Sequence, residues 1–83
     1  MKKYLVDVYV PSVSKHYDVL LPAEKKIGEA TMLLVEIVES LSNKSYKGSQ
    51  GSMLLRADNG VPLDKGATVF ESKIRNATRL ILI

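Results

Sequence analysis

EKKIGEATMLLVEIVESLS, residues 24–42, is the stretch on which the fold turns. Ile27, Ala30, Leu34, Ile37, Val38 and Leu41 recur at helical spacing and make one broad apolar stripe. Glu24 at the start suits the positive end of a helix dipole. Gly28 costs up to ~1 kcal/mol relative to alanine inside a helix, which suggests close packing there. No other segment carries this periodicity, so the chain is expected to have one substantial helix. Everything on either side of it reads as strand or turn.

Before the helix, Tyr4 to Val10 is rich in β-branched and aromatic residues and alternates about Asp7. Val6, Val8 and Val10 share one face; Leu5, Asp7 and Tyr9 share the other. Pro11 and Ser12 end that strand, and residues 16–21 form a second, with Tyr17, Val19 and Leu21 on one side and Asp18 outward. The short connection makes the two a hairpin. After the helix, Asn43 to Gly51 is polar and reads as a flexible loop. Ser52 to Ala57 is a third strand, Asp58-Asn59-Gly60 a tight turn and Val61 to Leu63 a short fourth strand. Residues 64–78 form a turn structure that buries Val69 and Ile74, and Arg79 to Ile83 is the last strand.

The order strand, strand, helix, strand, short strand, strand leaves no second full helix for a ferredoxin-like arrangement. One helix on a mixed sheet of four or five strands remains, with a right-handed crossover. This is an α+β fold, the β-grasp, formed as a single domain over residues 1–83. The core expected from parity is Val6, Val8, Val19, Leu21, Ile27, Leu34, Val38, Ile74, Leu80 and Leu82.

The composition fits one small domain. The chain has 83 residues, 46% apolar and 25% charged, ordinary globular usage. It has no cysteine and one histidine, which leaves no disulfide, thiol chemistry or histidine-cysteine metal cluster. Twelve basic and nine acidic residues give a net charge of +3, but the two signs are interspersed. Phe70 and the tyrosines are scattered, so no nucleic-acid surface is expected. Lys73, Arg75 and Arg79 are the densest basic group and a candidate for an acidic partner. The apolar runs Met32-Leu33-Leu34-Val35 and Leu80 to Ile83 are far short of the ~20 residues that cross a membrane. Met1-Lys2-Lys3 opens like a signal peptide, but Asp7 interrupts the apolar stretch and no small-residue cleavage site follows. A cytoplasmic location is expected.

The C-terminal third resembles ubiquitin. Leu63-Asp64-Lys65-Gly66-Ala67-Thr68-Val69 through Ile74, then Leu80-Ile81-Leu82-Ile83, lie on it without a gap. A narrower resemblance is to the bacterial ubiquitin-like proteins of the YukD and EsaB type. It rests on Tyr17-Asp18-Val19-Leu20-Leu21-Pro22-Ala23 and on the leucine-rich helix ending Glu39-Ser40-Leu41. Length and element order match throughout. That family usually has a Gly-Asp pair before its last strand, where this chain has Asn76-Ala77-Thr78. The resemblance implies a non-enzymatic accessory or regulatory component of a Gram-positive type VII (WXG100) secretion system, without cofactor. It would be cytosolic and recruited to the inner face of the membrane by a partner, a membrane ATPase or another membrane subunit. Related domains are fused to a channel subunit in actinobacteria.

Three other patterns invite chemistry. Ser14, His16 and Asp18 share one strand parity, but side chains at i, i+2 and i+4 stand in a row on an open surface without oxyanion donors. Glu36 and Glu39, three apart on a helix, are too few oxygens for a hard cation. Gly48-Ser49-Gln50-Gly51-Ser52 lacks the lysine and helix start of a phosphate loop.

The partner site is expected on the sheet face away from the helix. Arg79 outward puts Ile81 and Ile83 outward with it, and Leu80 and Leu82 inward. Arg56 outward puts Leu54 on the same face, and the first strand adds Leu5 and Tyr9. An apolar centre ringed by Asp7, Arg56 and Arg79 has the anatomy of a protein interface. A homodimer through this face is the alternative occupant, and Met32, among Glu29, Glu36 and Glu39 on the helix, is the second candidate surface. The competing functional class is a β-grasp carrier of the sulfur-transfer or modifier kind. A carrier ends in a free Gly-Gly, whereas this sequence has no glycine after Gly66. Incubation with ATP and adenylating enzymes is therefore expected to give no adenylate or thioester; detection of either by mass spectrometry would establish the carrier class.

Overall fold

A computed structural model of the chain describes residues 2–48 and 51–83. Strand β1 (Lys3–Val10) is followed by a single 3-10 turn (Pro11–Val13), β2 (Lys15–Pro22), α1 (Ile27–Leu41), β3 (Leu54–Arg56) and β4 (Arg79–Leu82). The four strands form one sheet in the order β2-β1-β4-β3. β1 pairs antiparallel with β2 and parallel with β4, and β3 pairs antiparallel with β4. The parallel pair requires a crossover, and α1 lies within it. The β-grasp expected from the element order is the fold observed.

The hairpin turns where Pro11 starts a tight helical turn and Ser14 enters the left-handed region at φ 53°. The Ser14 N–H donates to the Pro11 carbonyl at 3.1 Å. From there the alternation of β1 runs with few exceptions: Tyr4, Val6, Val8 and Val10 are buried, and Lys3, Leu5, Asp7 and Tyr9 face away from the helix.

The helix begins later than the sequence suggests. Glu24 and Lys25 lie in a turn after β2, and Ile27 is the first helical residue. Lys26 at the N-cap makes no side-chain cap. The exposed N–H groups are met by a distant loop instead: Ile27 N–H donates to the Ala67 carbonyl at 2.8 Å and Gly28 N–H to the Lys65 carbonyl at 3.1 Å. A Cβ on Gly28 would lie 3.4 Å from the Lys65 oxygen, ordinary contact, so packing alone does not demand glycine there. At the far end Asn43 and Lys44 turn left-handed, and the Lys44 N–H reaches the Glu39 carbonyl at 2.8 Å. Ile27, Ala30, Thr31, Leu34, Val35 and Val38 are buried; Leu41, expected in the apolar stripe, lies at the last helical turn and is 63% exposed.

Two loop expectations are corrected. Residues 43–48 fold back against the helix: Tyr46 is buried, its N–H donates to Ser42 Oγ at 3.1 Å and its hydroxyl lies 3.3 Å from Ser52 Oγ. Glu39 accepts the Gly48 N–H at 3.0 Å. This closure covers Val35, whose methyl would lie 2.4 Å from any Cβ placed on Gly48. Ser49 and Gln50, in the segment whose sequence falls short of a phosphate loop, lie outside the described residues. Residues Val61 to Leu63 do not make a strand but a single bridge, Pro62 opposite Leu55, held by the Arg56 N–H on the Val61 carbonyl at 3.1 Å and the Leu63 N–H on the Leu54 carbonyl at 3.0 Å.

Every residue expected in the core from parity is buried, and Tyr4, Val10, Ala23, Ala30, Val35, Tyr46, Leu54 and Val69 belong to the same cluster. Leu34 is fully enclosed beneath the sheet. Leu34→Ala is expected to cost about 2 to 5 kcal/mol, a large share of the total of about 4 to 12 kcal/mol typical for this length. Urea melts of the two proteins measure it; a loss below ~1 kcal/mol would contradict this packing.

Candidate functional site

The face of the sheet turned from α1 is built from four rows of side chains across the strands. Lys3 lies at one end, beside the row in which Leu20 and Leu5 face each other. Next come Asp18, Asp7 and Arg79, then His16, Tyr9, Ile81 and Leu55, the row that crosses all four strands. Met53 and Ile83 exchange both backbone hydrogen bonds at 3.0 Å and close the other end. Leu5, Leu20 and Ile83 are exposed, and Tyr9, Met53, Leu55 and Ile81 are half-buried. A sheet face left to water is ordinarily polar. Here the centre is apolar and aromatic, with charge beside it.

The polar geometry is specific. His16 Nδ1 lies 3.0 and 3.1 Å from the two carboxylate oxygens of Asp7, and the His16 ring leans on Tyr9 with centroids 4.6 Å apart. Arg79, beside Asp7 in the register, makes no side-chain hydrogen bond or ion pair with the described residues, and neither does Asp18. A shallow depression of about 670 Å³ opens between Leu5, Asp7, Asp18, Ala77 and Arg79.

Leu5, Arg79, Ile81 and Ile83 therefore stand on the face where the sequence reading put them. Leu54 and Arg56 do not. Leu54 pairs with Leu82 and is 2% exposed, and Arg56 stands opposite Leu80, so both Cβ atoms point to the helix side. The sequence expectation takes Arg56 as pointing to solvent. It lies on an edge strand, where a long side chain leaves the core side and carries its charge out. Its guanidinium meets Asp58 at 3.2 Å and donates to the Ser72 carbonyl at 3.2 Å. Leu55 and Met53 take the places assigned to Leu54 and Arg56, and Leu20 adds an apolar residue that parity alone would have found.

The other candidates separate. Met32 is exposed on the helix surface as expected. Lys73, Arg75 and Arg79 do not form one basic patch. Arg75 stacks 4.1 Å over Phe70, lies 5.4 Å from the Tyr4 ring and donates to the Phe70 and Ile74 carbonyls. Tyr4 belongs to the helix side of the sheet and Arg79 to the opposite side. Ser14, His16 and Asp18 are not assembled either: the partner of His16 is Asp7 on the neighbouring strand, and the Ser14 hydroxyl is directed to Pro11. Among the described residues no three acids or histidines gather as metal ligands.

No protein-family model matches the chain, and no curated protein matches it. Solved structures do. The chain is similar over 100% of its length to the ubiquitin-like domain of EccD5 from Mycobacterium xenopi, with TM-score 0.84, 19% identity and 94% of that domain covered. It is similar over its full length to a chain of the MycP5-free ESX-5 inner membrane complex, with TM-score 0.82 and 21% identity, and spans 21% of that chain. It also matches a chain of the toluene 4-monooxygenase HD complex, with TM-score 0.77 and 8% identity over 98% of this chain and 96% of that one. At such identities the likeness establishes the ubiquitin-like β-grasp, and the same fold serves unrelated ends.

The register of β3 separates two neighbouring leucines. Leu54→Glu places an unpaired carboxylate in the core and is expected to unfold the protein. Leu55→Glu faces out and is expected to change stability by less than about 1 kcal/mol. Circular dichroism melts of the two variants test the assignment, and equal losses would overturn it.

Proposed function

We propose that this chain is a non-conjugated, non-enzymatic ubiquitin-like module that binds protein within a type VII (WXG100) secretion system of a Gram-positive bacterium, of the YukD and EsaB type. The observation that carries the reading is the full-length likeness to the EccD5 ubiquitin-like domain, together with a comparable likeness to one fifth of a chain in an ESX-5 inner membrane complex. The sequence features of β2 and α1 that resemble the YukD and EsaB family point the same way. The partner is a membrane subunit of the secretion machinery, an ATPase or a channel component. No described helix is long and apolar enough to cross a membrane; in this reading the partner holds the module at the cytoplasmic face.

The docking surface is the sheet face turned from α1, with Tyr9, Leu55, Ile81 and Ile83 at its centre. An apolar patch beside unpaired charge is how protein interfaces combine affinity with orientation. In the source bacterium, the tagged protein is expected to retain a type VII membrane subunit through detergent extraction, identified by mass spectrometry. Ile81→Glu should lower that recovery at least tenfold, about 1.4 kcal/mol, while its melting curve shifts by less than about 1 kcal/mol. Recovery of no secretion subunit by the folded wild-type protein would overturn the assignment. Undiminished recovery by the folded variant would move the site to the Met32 face of the helix.

A further inference from the structure

Asp7 and Asp18 are direct cross-strand partners on the face turned from α1. Directly opposed like charges on neighbouring strands, about 5 Å apart, destabilise a sheet. His16 satisfies Asp7, but Asp18 has no partner among the described residues. The row to one side is the exposed pair Leu5 and Leu20, and the row to the other holds Tyr9 and Ile81. On the uncovered face the row Asp18, Asp7 and Arg79 thus sets two neighbouring carboxylates at the β2 edge and one cation at β4.

The geometry points to a partner segment that sets an arginine or lysine on Asp18 and Asp7 and lays apolar side chains over Leu5 and Leu20. This inference rests on the reading of the face as the partner surface and adds the partner's chemistry. The depression of about 670 Å³ at Leu5, Asp7 and Asp18 is lined on its other side by Arg79, so the cation reaches Asp18 from the β2 edge of the sheet. The incoming charge relieves the repulsion between the two carboxylates, so the ion pair gains more here than next to an isolated acid. Arg79, on the far side of Asp7, sets the direction: it repels a cation approaching from β4 and leaves the β2 side open. The order of Leu5 and Leu20 beside the acid pair then requires an apolar residue next to the basic one in the bound segment.

The test is a nitrogen-15 NMR titration of the whole chain with two pentapeptides, one with arginine between two pairs of leucines and the other with citrulline in its place. The arginine peptide is expected to shift the amides of Leu5, Asp7, Asp18 and Leu20, and to bind about two- to fivefold more tightly than the citrulline peptide, the worth of a surface ion pair. Asp18→Asn should erase that difference, and Glu36→Gln, on the helix, should leave it intact. Equal binding of the two peptides, or shifts elsewhere, overturns the inference. Asp18→Asn is then carried through the membrane recovery experiment. Loss of the secretion subunit from this variant alone supports the inference. Equal recovery by variant and wild type overturns it and leaves the secretion reading standing. If the wild type recovers no such subunit, the secretion reading fails and the titration alone decides. A wild-type dimer in sedimentation that Asp18→Lys disperses would assign the row to a second copy of the chain and overturn the inference.

Discussion

The parallel pairing of β1 with β4 is the contact on which the remaining architecture depends. It places the last strand in the middle of the sheet, between the first strand and β3. Leu80 and Leu82 are thereby sealed from both sides, and the chain between β1 and β4 must cross over one face. The crossover holds a single fifteen-residue helix. One helix covers one face of four strands, so the other face remains open whatever residues occupy it. The entry to β4 is braced by backbone bonds: Ala77 N–H donates to the Leu5 carbonyl at 2.8 Å, and Asp7 N–H to the Thr78 carbonyl at 3.0 Å. These fix the register that aligns Ile81 with Tyr9.

The long connection from β3 to β4 serves the helix. Because Lys26 supplies no side-chain cap, the N-terminus of α1 depends on the Lys65 and Ala67 carbonyls. That connection is itself held by a reciprocal cap, in which Thr68 N–H donates to Glu71 Oε1 at 2.9 Å and Glu71 N–H donates to Thr68 Oγ1 at 3.0 Å. Val69 and Ile74 anchor it in the core. A segment without regular secondary structure is thus as integral to the fold as a strand. The likeness to ubiquitin in the sequence runs through this Leu63 to Ile74 stretch.

Where one side of an element is packed and the other wet, its sequence was enough to read it. β1, β2 and α1 were legible from their periodicities, as was the core composition, because burial imposes a period of two or 3.6 on apolar residues. The misreadings fall where that period is absent. Met53-Leu54-Leu55 has no alternation, which leaves Arg56 as the one guide to orientation, and a flexible cation on an edge strand is a poor marker of side. Tyr46 sits among polar residues and glycine, and nothing in the sequence near it signals that Val35, eleven positions earlier, lies beneath the loop. The reciprocal bonds of Thr68 and Glu71 belong to a turn too short to announce itself by helical periodicity. The functional face was legible in β1 and β4 and hidden in β3 for the same reason.

Residues on the two sides of the sheet answer to different constraints. Val6, Val8, Leu80 and Leu82 answer to the helix, and any chain of this fold needs apolar groups of similar size there. That requirement accounts for superposition on proteins at 8% identity and tells nothing of their roles. The helix does not pack on Leu5, Asp7, Tyr9, Asp18, Leu20, Arg79 or Ile81, and beyond the contacts of His16 with Asp7 and Tyr9 folding alone would accept polar residues at these positions. Folding also disfavours the opposed pair Asp7 and Asp18. Exposed leucines, an aromatic row and neighbouring carboxylates on that side add solubility risk and local repulsion without adding to the core. Their cost to the isolated domain is intelligible if a second surface removes it, and this uncovered face is where identity in a shared fold can be written.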